Sequence, residues 1–298
     1  MNTTPPDSAV RTRGDLCPGV FRPWSASDGL LVRLRLVGGR LSGEQLDSLL
    51  AVSERFGDGV VHLTARANLQ IRGLPGFGCL PAEVVSALES TGLVPSRDHE
   101  LVRNIMVSPQ TGYAGGLADL RPVAAELDRL LVGDPALGVL PGRFLFVLDD
   151  GRGDVVATRA DLGLVALDAE RAQLRVGDDW GPVVPLPAAP AALVALACGF
   201  LETRGTGATA AWHVRELPDE LRVSMWQTSG LGMTDAGSRG DGCRVSAGPL
   251  PYGPVDGGVH VAVPDGVLTR AEAESLLAGP VLIVTPWRGI FVPSKEQS

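Results

Sequence analysis

VHLTARANLQIRGL, Val61 to Leu74, is the stretch whose reading decides the fold. Taken two residues at a time, Val61, Leu63, Ala65, Ala67, Leu69 and Ile71 fall on one face of an extended strand. His62, Thr64, Arg66, Asn68, Gln70 and Arg72 fall on the other. A row of hydrogen-bond donors carrying two guanidinium groups suits a large anionic ligand, because guanidinium binds carboxylates bidentately and keeps its charge when partly buried.

Upstream, GLLVRLRLVGG alternates Val32, Leu34 and Leu36 against Arg33 and Arg35, a half-buried strand closed by a Gly-Gly turn. Ser42 with Gln45 three residues on is a capping box, and Leu46, Leu49, Leu50 and Phe56 follow at helical spacing up to Gly57. Gly29 to Leu74 therefore reads strand, helix, strand. The plan returns near the end of the sequence: GVHVAVPDG, then a helix capped by Thr269 and Glu272 with Ala273, Leu276 and Leu277 as its apolar stripe and Gly279 as its stop, then the strand PVLIVTPWRGIFVP. Thr64 and Arg66 are matched by Thr285 and Arg288, with one extra residue between them in the second copy. A unit this small cannot cover both faces of its strands, so the two are expected to pair into one sheet with helices on one side, an α+β arrangement of the split ferredoxin-like kind.

Between the copies, LVRNIMVSP and GRFLFVLDDG read as strands, and DLRPVAAELDRLLVG as an amphipathic helix with Pro122 in its first turn. DLGLVAL with AQLRVG reads as a hairpin, and GPVVPLPAAPAALVALACGFLE as a connector running into a core helix. SGLGMTDAGSRGDG is a polar, glycine-rich linker, and the Pro-rich leader reads as mobile. The expected division is a first half domain over 15–80, a central domain over 95–235 and a second half domain over 243–293.

Hydrophobic residues make up 45% of the 298 and charged residues 20%, a globular balance. The net charge of −8 gives no support for nucleic-acid binding. There is no uninterrupted apolar run of about 18 residues and no signal-peptide layout at the N-terminus, so the expectation is a cytoplasmic protein with no membrane segment. Cys17, Cys79, Cys198 and Cys243 lie far apart in sequence and read as reduced thiols. His62, His99, His213 and His260 are scattered; His99, near Arg103, is the candidate for iron ligation or acid-base work. No phosphate-binding loop, dinucleotide fingerprint or nucleophile elbow occurs, so nicotinamide electrons would arrive through an external reductase.

LTARANLQIRGL, RNIMVSP, LPGRFLFVLDDGRGDV and LIVTPWRGIFV, in this order, resemble the nitrite and sulfite reductase superfamily, from about Cys17 to Pro293. Within it the likeness is to the branch that acts on precorrin in aerobic cobalamin synthesis. The resemblance implies that Arg66 with Asn68 and Gln70, Arg103 with Asn104, and Arg143 surround a carboxylate-rich tetrapyrrole. It also implies a four-iron four-sulfur cluster and non-haem iron. The family's cluster ligands are two close cysteine pairs in a further domain; no such pairs occur here, Cys243 precedes the second half-unit, and the sequence ends at Ser298. That domain is therefore expected to be absent, with a second polypeptide supplying it. Sulfite and nitrite reductases carry a second basic residue where this chain has Leu145, which makes siroheme-dependent reduction of a small anion the weaker expectation. A cluster-less tetrapyrrole-binding paralogue is the third.

Overall fold

The computed structural model describes residues 14–231 and 248–294. The leader before Gly14, most of the glycine-rich linker, Cys243 and the last four residues lie outside the described residues.

The first half-unit runs β1 (Trp24–Ala26), β2 (Gly29–Leu34), β3 (Arg40–Leu41), α1 (Gly43–Phe56), β4 (Val61–Leu63), β5 (Leu69–Leu74) and α2 (Ala82–Ser90). The central region follows with β6 (Ile105–Val107), α3 (Arg121–Gly133), β7 (Phe146–Asp149), β8 (Leu162–Ala166), β9 (Arg171–Val176), β10 (Asp179–Pro185), α4 (Ala189–Thr203) and α5 (Asp219–Thr228). The second half-unit is β11 (Gly253–Val255), β12 (Gly258–Ala262), β13 (Val267–Leu268), α6 (Arg270–Ala273), β14 (Leu282–Val284) and β15 (Gly289–Pro293).

The half-units pair, but by exchange rather than by merging into one sheet. One five-stranded sheet has the order β1-β2-β5-β4-β13 and the other β11-β12-β15-β14-β3, so each half-unit lends a two-residue strand to the edge of its partner's sheet. The approach is close: Gly39, at φ +73°, passes the Val284 carbonyl where a Cβ would collide with the oxygen. Both sheets and α1 share one apolar core, in which Val32, Leu49, Leu50 and Ile71 meet Leu268, Leu282 and Ile290.

Both capping boxes form, Ser42 with Gln45 and Thr269 with Glu272. Such a cap is worth about 1 kcal/mol to its helix. α1 runs its full expected length, whereas α6 ends at Ala273 instead of continuing to Gly279. Beyond it Leu276 and Gly279 each donate to a carbonyl three residues back, and Gly279 accepts from the Gly43 amide at 2.9 Å. The chain tightens there because the start of α1 lies directly against it, with no room for a Cβ at Gly43.

In the central sheet β6, β7 and β8 are parallel, and β8, β9 and β10 antiparallel. α3 packs on α4 and α4 on α5, over a core that includes Leu127, Phe144, Phe146, Leu193 and Phe200. Leu186–Thr203 is the one stretch among the described residues long and apolar enough to cross a membrane, and Leu193, Leu196, Ala197 and Phe200 within it are fully buried. Ile105 pairs with Phe146 in the parallel register, so the residues leading into β6 and β7, Arg103-Asn104 and Arg143, enter the sheet at the same end.

Candidate anion site

The opening stretch is not one strand. β4 and β5 are antiparallel neighbours joined by a hairpin turn through Thr64–Asn68, with Ala67 at φ +55°. Thr64 Oγ1 accepts from the amides of Arg66 (3.3 Å) and Asn68 (3.1 Å), and the Thr64 amide donates to the Asn68 carbonyl at 2.9 Å. The second unit repeats the turn between β14 and β15. The Thr285 amide donates to the Gly289 carbonyl at 2.9 Å, Thr285 Oγ1 accepts from the Gly289 amide at 3.2 Å, and Arg288 has φ +59°. The two turns have equal length. Arg288 matches Ala67, and the position of Arg66 is taken by Trp287, so the apparent extra residue is a pairing of the wrong arginines.

The turn delivers Arg66 to the central region, where its Nη1 donates to the Arg143 carbonyl at 2.8 Å. Arg33 lies opposite Gln70 in the β2–β5 register, and the Gln70 amide oxygen, turned toward it, accepts from Arg33 Nη2 at 2.9 Å and Nε at 3.3 Å. Burial pushes the Arg33 and Arg66 guanidiniums below their usual range, and repulsion from Arg143 acts on both in the same direction. Burial and the adjacent Asp15 carboxylate hold the Cys17 thiol above its usual range, against the pull of Arg35, Arg33 and Arg143. Four guanidiniums therefore share one neighbourhood.

Asn68 and Asn104 sit beneath these arginines, 1% and 2% exposed, as parts of a buried knot. Asn68 Oδ1 accepts from the Leu36 amide at 2.9 Å. Asn104 Oδ1 accepts from Arg35 Nε at 3.1 Å, while its Nδ2 donates to the carbonyls of Gly142 (2.9 Å) and Leu101 (3.1 Å). Arg35 also donates to the Pro18 and Gly142 carbonyls, and burial draws its pKa down to about 10. The two asparagines spend their amides on protein partners instead of facing a ligand. Arg103 is held by Asp128 through Nε (2.6 Å) and Nη2 (2.9 Å) and lines a separate cavity beside Arg35.

Among the described residues none of Arg33, Arg35, Arg66 and Arg143 forms an ion pair with a carboxylate. Balancing charge acts only from farther away, Asp161 on Arg66 and Glu100 with Asp15 on Arg35. Grouped cations without counter-charges are costly unless an anion completes them. The arrangement is thus suited to a ligand with several carboxylates, each taken by a different guanidinium.

The sequence reading placed Arg33 and Arg35 on the polar face of a half-buried strand and gave them no part in the site; Arg35 is 3% exposed. The place of Arg35 three residues before the Gly-Gly turn that carries β3 across to the other half-unit was the available signal. The His213 and Asp161 pair was also missed: the Asp161 carboxylate collects His213 Nδ1 (3.2 Å) and the amides of Val214 and Leu145 (both 2.9 Å). No motif spacing links residues so distant in sequence. His99 is removed as an iron candidate, because Nδ1 is bonded to Ser96 Oγ and Nε2 to the Asp134 carbonyl, both at 3.0 Å. Leu145 is 2% exposed in a small apolar cluster with Met106, Val147 and Val155, so it offers nothing to a small anion. Cys17, Cys79 and Cys198 do not meet, and no group of three or more His, Cys, Asp or Glu suited to a metal forms among the described residues. These residues do not fit an iron-sulfur cluster.

Two half-units that exchange edge strands, with cations gathered at the turn of one of them, define the class: residues 25–77 match the family model of the nitrite/sulfite reductase ferredoxin-like half domain. Over those residues the chain is similar to the ferredoxin-like half domain of nitrite and sulfite reductases. It is 34% identical over 157 residues to precorrin-3B synthase of Sinorhizobium sp, covering 52% of this chain and 33% of that protein. It is 32% identical over 151 residues to ferredoxin–nitrite reductase of Leptolyngbya laminosa, covering 48% of this chain and 28% of that one. The matches thus span a third or less of each curated relative. The solved structure of Mycobacterium tuberculosis NirA protein superposes with a TM-score of 0.59 over 94% of this chain and 60% of that one, at 15% identity, a likeness of fold alone.

Proposed function

We propose that this chain binds a carboxylate-rich precorrin and serves as a precorrin-3B synthase-like oxidoreductase of aerobic cobalamin synthesis. The reaction would hydroxylate precorrin-3A at a ring-bridging carbon and close a lactone from a neighbouring acetate side chain. The observation that carries the reading is the set of guanidiniums on Arg33, Arg66 and Arg143, free of ion-pairing carboxylates among the described residues, in a chain related to precorrin-3B synthase.

In this reading Arg33, Arg66 and Arg143 take the carboxylates of the macrocycle. Gln70 orients Arg33, and the buried Asn68 and Asn104 hold Arg35 and the turn in place. Arg103 acts from the far side of Arg35, anchored by Asp128. Oxygen, a reductant and iron would be needed for turnover, and since the described residues offer no cluster ligands, no step is routed through a cluster. A second polypeptide carrying it and an external reductase are the partners this reading calls for.

The test is a titration with uroporphyrin, an octacarboxylate tetrapyrrole, and with its neutral methyl ester, followed by absorbance. The acid is expected to bind and the ester not. Arg66→Ala should weaken binding by about 1 to 3 kcal/mol, or roughly 5- to 150-fold. Equal binding of acid and ester, or an unchanged affinity in Arg66→Ala, would refute it. The ferredoxin–nitrite reductase relative supports a second reading, siroheme-dependent reduction of a small anion, against which the buried Leu145 weighs. Nitrite or sulfite turnover after reconstitution with siroheme would favour it.

A further inference from the structure

A cavity of about 500 Å³ lies where the first half-unit, the second half-unit and the central region meet. Four guanidiniums line it, from four separate elements: Arg35 after β2, Arg40 on β3, Arg103 before β6 and Arg121 on α3. Among the described residues Asp128 is the only carboxylate in the wall. Two of the cations are fixed on one phenol: Arg121 stacks over the Tyr113 ring at 4.8 Å from its centroid, and Arg40 Nη1 donates to the Tyr113 hydroxyl. Arg121 is further held by Asp119 at 2.8 Å, and Arg103 by Asp128. The rest of the wall is largely apolar, with Val37, Val107, Ala124, Val281 and Ile283.

We infer that this cavity binds a small organic anion, a body of carbon atoms bearing two or more carboxylate or phosphate groups. Like charges brought together in a half-enclosed space repel one another and raise a positive potential that draws in an anion. Guanidiniums locked by Asp119, Asp128 and Tyr113 are preorganised, so little side-chain freedom is lost on binding. The volume lies in the range of pockets that enclose whole small molecules, and one inorganic oxyanion would leave the apolar wall uncovered. Because the walls come from all three parts of the chain, the ligand would also tie the exchanged strand β3 to α3. The cavity shares Arg35 with the Arg66 cluster and Arg103 with the proposed tetrapyrrole site, but Arg40 and Arg121 belong to it alone, so the test is made at Arg121 and Ala125.

The experiment is calorimetric titration of the full chain at low salt with benzene-1,3,5-tricarboxylate and with 1-naphthyl phosphate, using 1-naphthol as the neutral control. At least one anion is expected to bind with a Kd below about 1 mM; whichever does identifies carboxylate or phosphate as the recognised group. Arg121→Gln should weaken that binding at least about tenfold, as expected for a lost charged partner. Ala125→Trp, which adds an indole to the solvent-facing cavity side of α3 without touching the core, should block it and serves if Arg121→Gln fails to fold. Uroporphyrin titrations of both variants are expected to match the unsubstituted protein. Silence of both anions, naphthol binding as tightly as its phosphate, or undiminished binding in Ala125→Trp would overturn the inference.

Discussion

Asn104→Ala should unfold this protein more readily while leaving the ligand surface of the folded molecules nearly intact. The side chain is 2% exposed and joins four groups. Truncation removes the acceptor of Arg35 Nε and a partner of the Leu101 carbonyl. The Gly142 carbonyl keeps its bond from Arg35 Nη2 at 3.3 Å, and Asn68 keeps the Leu36 amide, so neither of these is stranded. Asn68 Nδ2 also loses its bond to Asn104 Oδ1, which at 3.4 Å is long and adds little to the cost. A buried charged donor left unmet costs about 1.5 to 3 kcal/mol and a buried carbonyl about 1 to 3, less whatever a water entering the vacated space restores. The net loss is about 3 kcal/mol, which for a chain of this size lowers Tm by roughly 6 to 12 °C.

Urea unfolding followed by far-UV circular dichroism measures the first quantity, and uroporphyrin titration at a temperature where both proteins are folded measures the second. Arg66→Ala is the mirror case, since its side chain bonds one carbonyl at the surface: affinity should fall and the urea midpoint barely move. A loss below about 1 kcal/mol in Asn104→Ala would show that the knot is not what holds Arg35. A binding loss in Asn104→Ala as large as that in Arg66→Ala would show that Asn104 meets the ligand after all.

Asp154 is buried beside Asp149 and Asp150 and accepts from Ser108 Oγ at 2.7 Å; burial lifts its pKa from 3.8 to about 7. The folded state thus binds its proton more tightly than the unfolded state, so its contribution to stability is present below about pH 4 and lost as pH rises through 7. Asp154→Asn should be the more stable protein at pH 8, by an amount of order 4 kcal/mol, and equal at pH 4; parallel pH curves in urea titrations would contradict this. Thr64→Val should lower stability by about 1 to 2 kcal/mol by stranding two turn amides, and Thr285→Val by more, because Thr285 is fully buried and also bonded to His260. Equal and negligible shifts in a thermal melt would argue against the shared turn. Gly39→Ala should cost more than about 3 kcal/mol, since both its φ and the adjacent Val284 carbonyl oppose a side chain, and soluble protein with unchanged Tm would contradict the exchanged-strand geometry.

The half-unit repeat, both capping boxes, α1 and α3 were legible because each is written in residues close together in sequence. The hairpin inside Val61 to Leu74 was not, for a reason of parity. Leu63 and Leu69 are an even number of positions apart, so inward and outward residues keep alternating through the turn and a period of two runs unbroken across two antiparallel strands. Nor does the turn announce itself with glycine, since Ala67 takes the left-handed position. The site was half legible. Arg66 and Arg143 do come together, but the bond is from a guanidinium to a backbone carbonyl, which no side-chain motif encodes. That Arg103 would turn to Asp128, and Asn104 to Arg35, depends on α3 and the Gly-Gly turn arriving in three dimensions.

The duplicated turns explain why one half of the molecule carries the cations. Their backbones are alike, Thr first, a left-handed residue fourth and an amide bonded to the Thr hydroxyl fifth, so the difference lies in the side chains, above all the third, and in what lies beside them. In the first unit that residue is Arg66, and the segment entering β7 is there to meet it. In the second it is Trp287, whose ring meets His260 edge-on at 6.2 Å and whose carbonyl accepts from the Tyr252 hydroxyl, an aromatic closure that seals the turn against its own half-unit. An arginine placed there would have no Arg143 carbonyl to hold it. The fold therefore offers two equivalent positions for a guanidinium, and only the one facing the central region is paired with neighbours that make it an anion site.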